Sequence, residues 1–167
     1  MSVIENSVGL SIRNQRAQVV MLLGDAGVGK SRLAEEIPGV VANERPDVLV
    51  MAGRCVPYGE ANPWWPIGDA LRDAFSIALD DSLDEARTKA SAAVQHALIA
   101  EALLPSVVNG MLHLMGYEGP LRGLDPGRAR ADASQALLTY VESIVADRPV
   151  VLRIADLHWA DDLVLET

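Results

Sequence analysis

The stretch GDAGVGKS, residues 24–31, decides how this chain folds. It matches the spacing G-x-x-x-x-G-K-[ST], in which a glycine-rich turn leads directly into a lysine and a hydroxyl residue. Glycine adopts backbone angles that a side chain forbids, so successive N–H groups of such a loop can turn inward around an anion. The stretch therefore predicts a phosphate-binding loop.

The end of this loop supplies the polar groups that a nucleotide needs. A helix predicted to begin at Lys30 adds its free amides and the positive end of its dipole. Lys30 would place a cation on the β- and γ-phosphates, and the hydroxyl of Ser31 is a ligand for Mg²⁺. The predicted nucleotide-binding residues are Gly24, Asp25, Ala26, Gly27, Val28, Gly29, Lys30, Ser31 and Arg32.

Apolar runs on both sides of the loop indicate the fold class. Residues 17–23 (AQVVMLL) end at the loop and suit a strand buried on both faces, as do the runs at 47–52 and 150–154. Helical patterns lie between and after these runs. Strands that alternate with helices predict an α/β fold, a P-loop NTPase with a parallel sheet flanked by helices.

The predicted helices and the domain boundary follow from spacing and from helix breakers. The first sixteen residues show no period and are predicted to be a loose arm, which leaves 17–167 as the domain. The helix after the loop is predicted over 31–37, because Pro38-Gly39 should end or kink it. Further helices are predicted at 68–79, 83–104 and 129–146, and a last one near Asp161.

Composition narrows the classes of function. The 167 residues are half hydrophobic and include 14 basic and 23 acidic residues, for a net charge of −9. A surface that acidic repels phosphate backbones, so no direct contact with nucleic acid is expected. No apolar run approaches the ~20 residues of a membrane span. Cys55 is the only cysteine, which favours a reducing compartment and predicts a cytoplasmic protein.

The third strand candidate leads into the segment ADLHWAD, residues 155–161. A P-loop NTPase needs an acidic residue at the end of a strand near the loop to hold magnesium, and usually a second carboxylate to activate water. Together with GDAGVGKSRLAEE and the GRC at 53–55, this segment resembles the ATPase domain of signal-transduction ATPases. These occur in large LuxR-type transcription regulators and in some multidomain adenylate cyclases, and are similar to AAA+ and Orc1-like ATPases.

The resemblance implies ATP with Mg²⁺, and Asp156 as the residue that holds the metal with Ser31 and positions water. The family has two adjacent acids where this chain has Ala155-Asp156. With one carboxylate left for two tasks, binding is expected to persist and hydrolysis to be weak or absent.

The resemblance also implies that the fold is incomplete. In the family, a sensor strand, an arginine-bearing segment and a helical lid follow the segment that contains Asp156. In the sheet, the sensor strand lies between the P-loop strand and the strand that ends at Asp156. These elements would come after Thr167. The sheet is then expected to have a gap, or the two strands to pair directly.

Three functions remain open from the sequence. The first is an ATP-binding regulatory module that works with an output domain outside this chain or by self-association. The second is a small P-loop kinase, which the arginines near the loop at 116–127 permit but no acceptor motif supports. The third is a non-enzymatic remnant that keeps the motif without a closed nucleotide site.

Overall fold

The computed structural model describes residues 2–25, 27–57, 64–97 and 99–159. Six α-helices and two strands are found in these ranges, with three short 3-10 turns. They are α1 (Ser2–Asn14), α2 (Lys30–Glu44), β1 (Leu49–Arg54), α3 (Trp65–Phe75), α4 (Leu83–Gln95), α5 (Leu104–Leu114), α6 (Pro126–Asp147) and β2 (Val150–Ala155).

The sheet consists of β1 and β2, which pair in parallel with Leu49 opposite Val150 and Arg54 opposite Ala155. Their sequences are mostly aliphatic, as is usual for strands covered by helices. Parallel strands end at the same edge, so the segments after Arg54 and Ala155 emerge side by side. This edge positions the candidate site.

The core lies in the helical part of the chain, where α3, α4, α5 and α6 pack together and against β1. The largest fully buried side chains in this part are those of Leu71, Met111, Leu112, Leu114, Met115 and Val94. Small residues let the helices approach closely: a Cβ on Gly110 of α5 would lie 2.3 Å from the Cβ of Ala136 on α6. Phe75 and Tyr140 meet edge to face at 5.3 Å between ring centroids.

The prediction of a buried strand at 17–23 is wrong. This segment has no regular secondary structure, and all of its side chains except that of Leu22 are exposed, with Val19 at 91% and Leu23 at 81%. The strand that ends next to Asp156 pairs with β1 and not with this segment. A strand forms only against a neighbour that satisfies its backbone, and no described segment supplies one here.

Two helix predictions also need correction. The helix after the loop does not end at Pro38 but runs to Glu44, with Pro38 inside it. Proline removes only its own N–H from the ladder, and Val41 one turn later is fully buried, which holds the second half in place. The single helix predicted over 83–104 is two, because α4 ends at Gln95 and α5 begins at Leu104.

Other boundaries agree within a few residues. The strands predicted at 47–52 and 150–154 are observed as β1 and β2, and the helix predicted at 129–146 is α6. Residues 2–14 form α1, although the sequence suggested no regular element there, and the domain boundary at residue 16 stays a prediction. The helix predicted near Asp161 lies outside the described residues. The fold is α/β, mostly helical with a small parallel sheet, consistent with an incomplete P-loop NTPase-like fold.

A candidate phosphate-binding site

The loop of residues 24–31 has the backbone that its glycines predict. Gly24, Gly27 and Gly29 all have positive φ angles, at 157°, 82° and 91°. At Gly27 and Gly29 these angles lie in the left-handed region that side chains disfavour, and no other atom stands within 4 Å of where a Cβ would be. Conformation and not crowding therefore requires glycine at these two positions.

Lys30 folds back over this loop. Its Nζ donates hydrogen bonds to the backbone oxygens of Gly24 at 2.8 Å and Asp25 at 2.7 Å. The ammonium thus sits inside the curve of the loop, where a phosphate group would lie near it. Because carbonyl oxygens are weaker partners for a cation than phosphate oxygens, an entering phosphate could draw the ammonium toward itself.

The first turn of α2 is open to an anion. Gly29 caps this helix without a side chain, and no acidic residue occurs in its first turn, so no carboxylate of the helix competes for the amides. Ser31 is exposed in the same turn. Arg32 is exposed as well and pairs with Glu36 at 3.5 Å, one turn along the helix.

Asp156 follows β2 directly and adopts a left-handed conformation, with φ at 58°. Its backbone oxygen accepts a hydrogen bond from the N–H of Trp159 at 2.9 Å, which closes a 3-10 turn over Leu157–Trp159. Its side chain is exposed and makes no hydrogen bond or ion pair with the residues that the structure describes. The carboxylate is therefore available to a ligand at the carboxyl edge of the sheet.

The neighbouring strand ends at the same edge. Arg54 is the register partner of Ala155, and the N–H of Cys55 donates to the oxygen of Ala155 at 3.0 Å. The N–H of Arg54 donates instead to the carboxylate of Asp69 on α3 at 3.1 Å. The sequence predicts no role for Arg54 beyond its place in the GRC segment, because its position beside Ala155 depends on the pairing of β1 with β2.

Hydrogen bonds connect predicted residues within the loop, and none of those among the described residues reaches Asp156. Gly24, Asp25 and Lys30 are joined by hydrogen bonds, and α2 contacts β2. No hydrogen bond or ion pair connects Asp156 to the described residues of the loop. Ala26 lies outside the described residues.

The residues present fit a nucleotide phosphate and a magnesium ion held mainly by that phosphate. The fit rests on the positive φ angles of the loop glycines, a lysine bonded to the loop and a helix start that has no side-chain cap and carries a hydroxyl. Within the described ranges no group of three His, Cys, Asp or Glu residues could hold a metal alone. Mg²⁺ does not need one, since it is often bound by one or two protein groups plus substrate phosphates.

The loop, the helix after it and the parallel sheet define a P-loop nucleotide-binding module. The chain belongs to the AAA ATPase domain family, which matches residues 5–167. It is also 30% identical over 148 residues to an uncharacterized protein of Rhizobium meliloti (strain 1021). That match covers 87% of this chain and 14% of the relative, so the chain spans about one seventh of that protein. No solved structure matches this chain.

Family membership supports nucleotide binding by a P-loop module. Among the described residues, none of the helices combines the length and apolar character that crossing a membrane requires.

Proposed function

We propose that this chain binds Mg-ATP through the loop of residues 24–31 and acts as a regulatory P-loop ATPase module with weak or absent hydrolysis. The observation that carries the proposal is the loop itself, with its left-handed glycines and the ammonium of Lys30 inside the curve. An anion that enters this curve meets backbone amides, a helix start and a cation together. The AAA ATPase family supports the choice of ATP.

In this proposal Lys30 leaves the oxygens of Gly24 and Asp25 and neutralises the β- and γ-phosphates. Ser31 would offer its hydroxyl to Mg²⁺, and Asp156 would hold the ion directly or through water. The ion would supply positive charge that offsets that of the phosphates. Asp25 and Val28 contribute mainly their backbone to the loop, and Arg32 lies directly after the loop in the first turn of α2.

Weak hydrolysis follows from Ala155. The position next to Asp156 carries no carboxylate, so one acid would have to serve both the metal and the attacking water. Asp156 is the catalytic residue in this proposal if water is activated within the chain. We expect nucleotide binding to control another domain or another copy of the chain in the cytoplasm, and such control needs no fast hydrolysis. The match to a small part of a longer relative is consistent with this role.

Titration with a fluorescent ATP analogue, with and without Mg²⁺, tests the binding. We expect saturable binding that magnesium strengthens and that Lys30→Ala abolishes, because the variant loses the cation inside the loop. Arg45→Ala is the matched control, since Arg45 is a partly exposed cation whose ion pair among the described residues is with Asp47, before the start of β1. Equal affinity in Lys30→Ala and wild type would refute the phosphate-binding loop.

Hydrolysis is tested by phosphate release in wild type and in Ala155→Asp, with binding measured in parallel. We expect little release from wild type and more from the variant, because it regains a second carboxylate at the end of β2. A variant that binds ATP but hydrolyses it no faster than wild type would show that the missing acid at position 155 does not limit hydrolysis.

The remnant alternative is favoured by one observation, the exposed segment at 17–23 that leads into the loop without secondary structure. A folded chain that fails to bind any nucleotide would establish it. The small-kinase alternative gains no support from the arginines near the loop at 116–127. Arg122 in the loop pairs with Glu118, and Arg128 in α6 pairs with Asp132.

A further inference from the structure

Arg54 is an exposed cation at the carboxyl edge of the sheet, and the functions proposed above do not use it. It is the last residue of β1 and the register partner of Ala155, one residue before Asp156. Adjacent strands lie about 4.8 Å apart, so the backbone of Arg54 runs beside that of the candidate metal-binding residue.

The direction of the Arg54 side chain follows from its neighbour Gly53. A Cβ on Gly53 would lie 2.0 Å from the backbone oxygen of Pro66, so α3 closes that face of the sheet. Side chains alternate along a strand, and Arg54 therefore leaves from the opposite face.

The P-loop helix also reaches this sheet, because α2 contacts β2. Only residues 45–48 separate the end of α2 from the start of β1. Arg54 and the helix that begins at Lys30 thus belong to elements that meet at the same two-stranded sheet.

The guanidinium of Arg54 is uncompensated within the described residues. It makes no ion pair there, although the chain carries a net charge of −9, while its backbone N–H is fixed by Asp69 at 3.1 Å. The register partner Ala155 offers no charge. A fixed backbone with a free cation at the edge where parallel strands bind ligands is suited to an anion.

We propose that Arg54 binds the terminal phosphate of the nucleotide and makes the site prefer a triphosphate over a diphosphate. The proposal rests on the proposed ATP binding at residues 24–31. Lys30 would approach the phosphates from the loop, and Arg54 would approach the outermost one from the end of β1. Arginine is suited to this task because its planar fork can donate two hydrogen bonds to one phosphate.

The test compares affinities for Mg-ATP and Mg-ADP in wild type, Arg54→Ala, Arg54→Lys and Lys30→Ala. We expect Arg54→Ala to weaken ATP binding about tenfold, which corresponds to one lost charge-assisted hydrogen bond, and to change ADP binding less than twofold. Arg54→Lys keeps the charge and should recover part of the preference. Circular dichroism confirms folding, and Arg45→Ala again controls for loss of a surface cation.

Two results would overturn the role of Arg54. An unchanged ratio of ATP to ADP affinity in Arg54→Ala, with Lys30→Ala still unable to bind, would remove Arg54 from the site and leave the loop intact. Equal loss of both nucleotides would show that the residue does not read the terminal phosphate. Binding that Lys30→Ala leaves unchanged is a different failure, because it refutes the nucleotide site itself.

Discussion

The helical part of the chain, α3 to α6, and the segment that leads into the loop are built very differently. The first surrounds Leu71, Met111 and Leu112 with neighbouring helices until they are fully buried. The second, residues 17–23, is as apolar in sequence but leaves Val19 and Leu23 almost fully exposed. Apolar sequence thus produces a core only where partner elements are present, and a strand needs partners more than a helix does because its hydrogen bonds lie between segments.

The difference has a consequence for function. Lys30 is bonded to Gly24 and Asp25 within the loop, and the loop continues directly into α2. The largest group of buried side chains lies in the helical part, and the segment that leads into the candidate site adds little to it. Changes in the two parts should have separable effects on unfolding and on binding.

The largest expected effect comes from the same substitution made in each part. Leu71→Ala removes a side chain that is 0% exposed and should lower the free energy of unfolding by about 2–5 kcal/mol. Leu23→Ala should change it by less than about 0.5 kcal/mol, since that side chain already contacts water. Urea unfolding followed by circular dichroism measures both. Similar losses in the two variants would mean that residues 17–23 are packed in solution.

A smaller effect is expected where the sheet meets the helices. Gly53→Ala places a methyl group 2.0 Å from the Pro66 backbone oxygen, so α3 must shift, at a cost of about 1–3 kcal/mol. Gly39→Ala is the matched control. No atom lies within 4 Å of its Cβ position in α2, and alanine there should stabilise by about 0.5–1 kcal/mol. The midpoints of thermal unfolding of both variants measure these changes in stability. A neutral Gly53→Ala would show that β1 and α3 are not in close contact.

The smallest expected effect is the loss of stability at low pH that comes from the carboxylates at the start of α4. A hydrogen bond from Lys89 lowers the pKa of Asp81, and the hydroxyl and backbone N–H of Ser82 lower the pKa of Glu85. A lowered pKa in the folded state adds stability above the unfolded pKa, and this is lost as pH falls below about 4.

Unfolding midpoints in urea between pH 6 and pH 3 test this contribution. Glu85→Gln should reduce their dependence on pH and preserve the cap, because glutamine can occupy the same position in a capping box. An unchanged pH dependence in this variant would assign the acid sensitivity to other carboxylates.

The parts of the fold that could be predicted from the sequence are those that local chemistry decides. The glycine spacing gave the loop, and apolar runs bounded by breakers gave β1, β2 and α6 to within a few residues. Pro38 and the segment at 17–23 were misjudged because their outcome depends on contacts elsewhere, the burial of Val41 in one case and the absence of a described neighbouring strand in the other.

The candidate site shows the same limit. The loop residues are predicted from a contiguous motif, and Asp156 from the end of an apolar strand and from the resemblance to signal-transduction ATPases; both assignments stay predictions. Arg54 could not be assigned from the sequence, since its place beside Ala155 depends on which strands pair. That Lys30 is bonded to Gly24 and Asp25 is likewise a feature of the folded loop alone.

The most direct test of the central claim is amide hydrogen exchange with and without saturating Mg-ATP. If the loop binds the phosphates, exchange should slow at the amides of residues 27–31 and stay unchanged in α4, α5 and α6, and Lys30→Ala should show no slowing. Saturable binding that leaves the loop amides unchanged, or protects only the helical part, would contradict the account and place the nucleotide elsewhere.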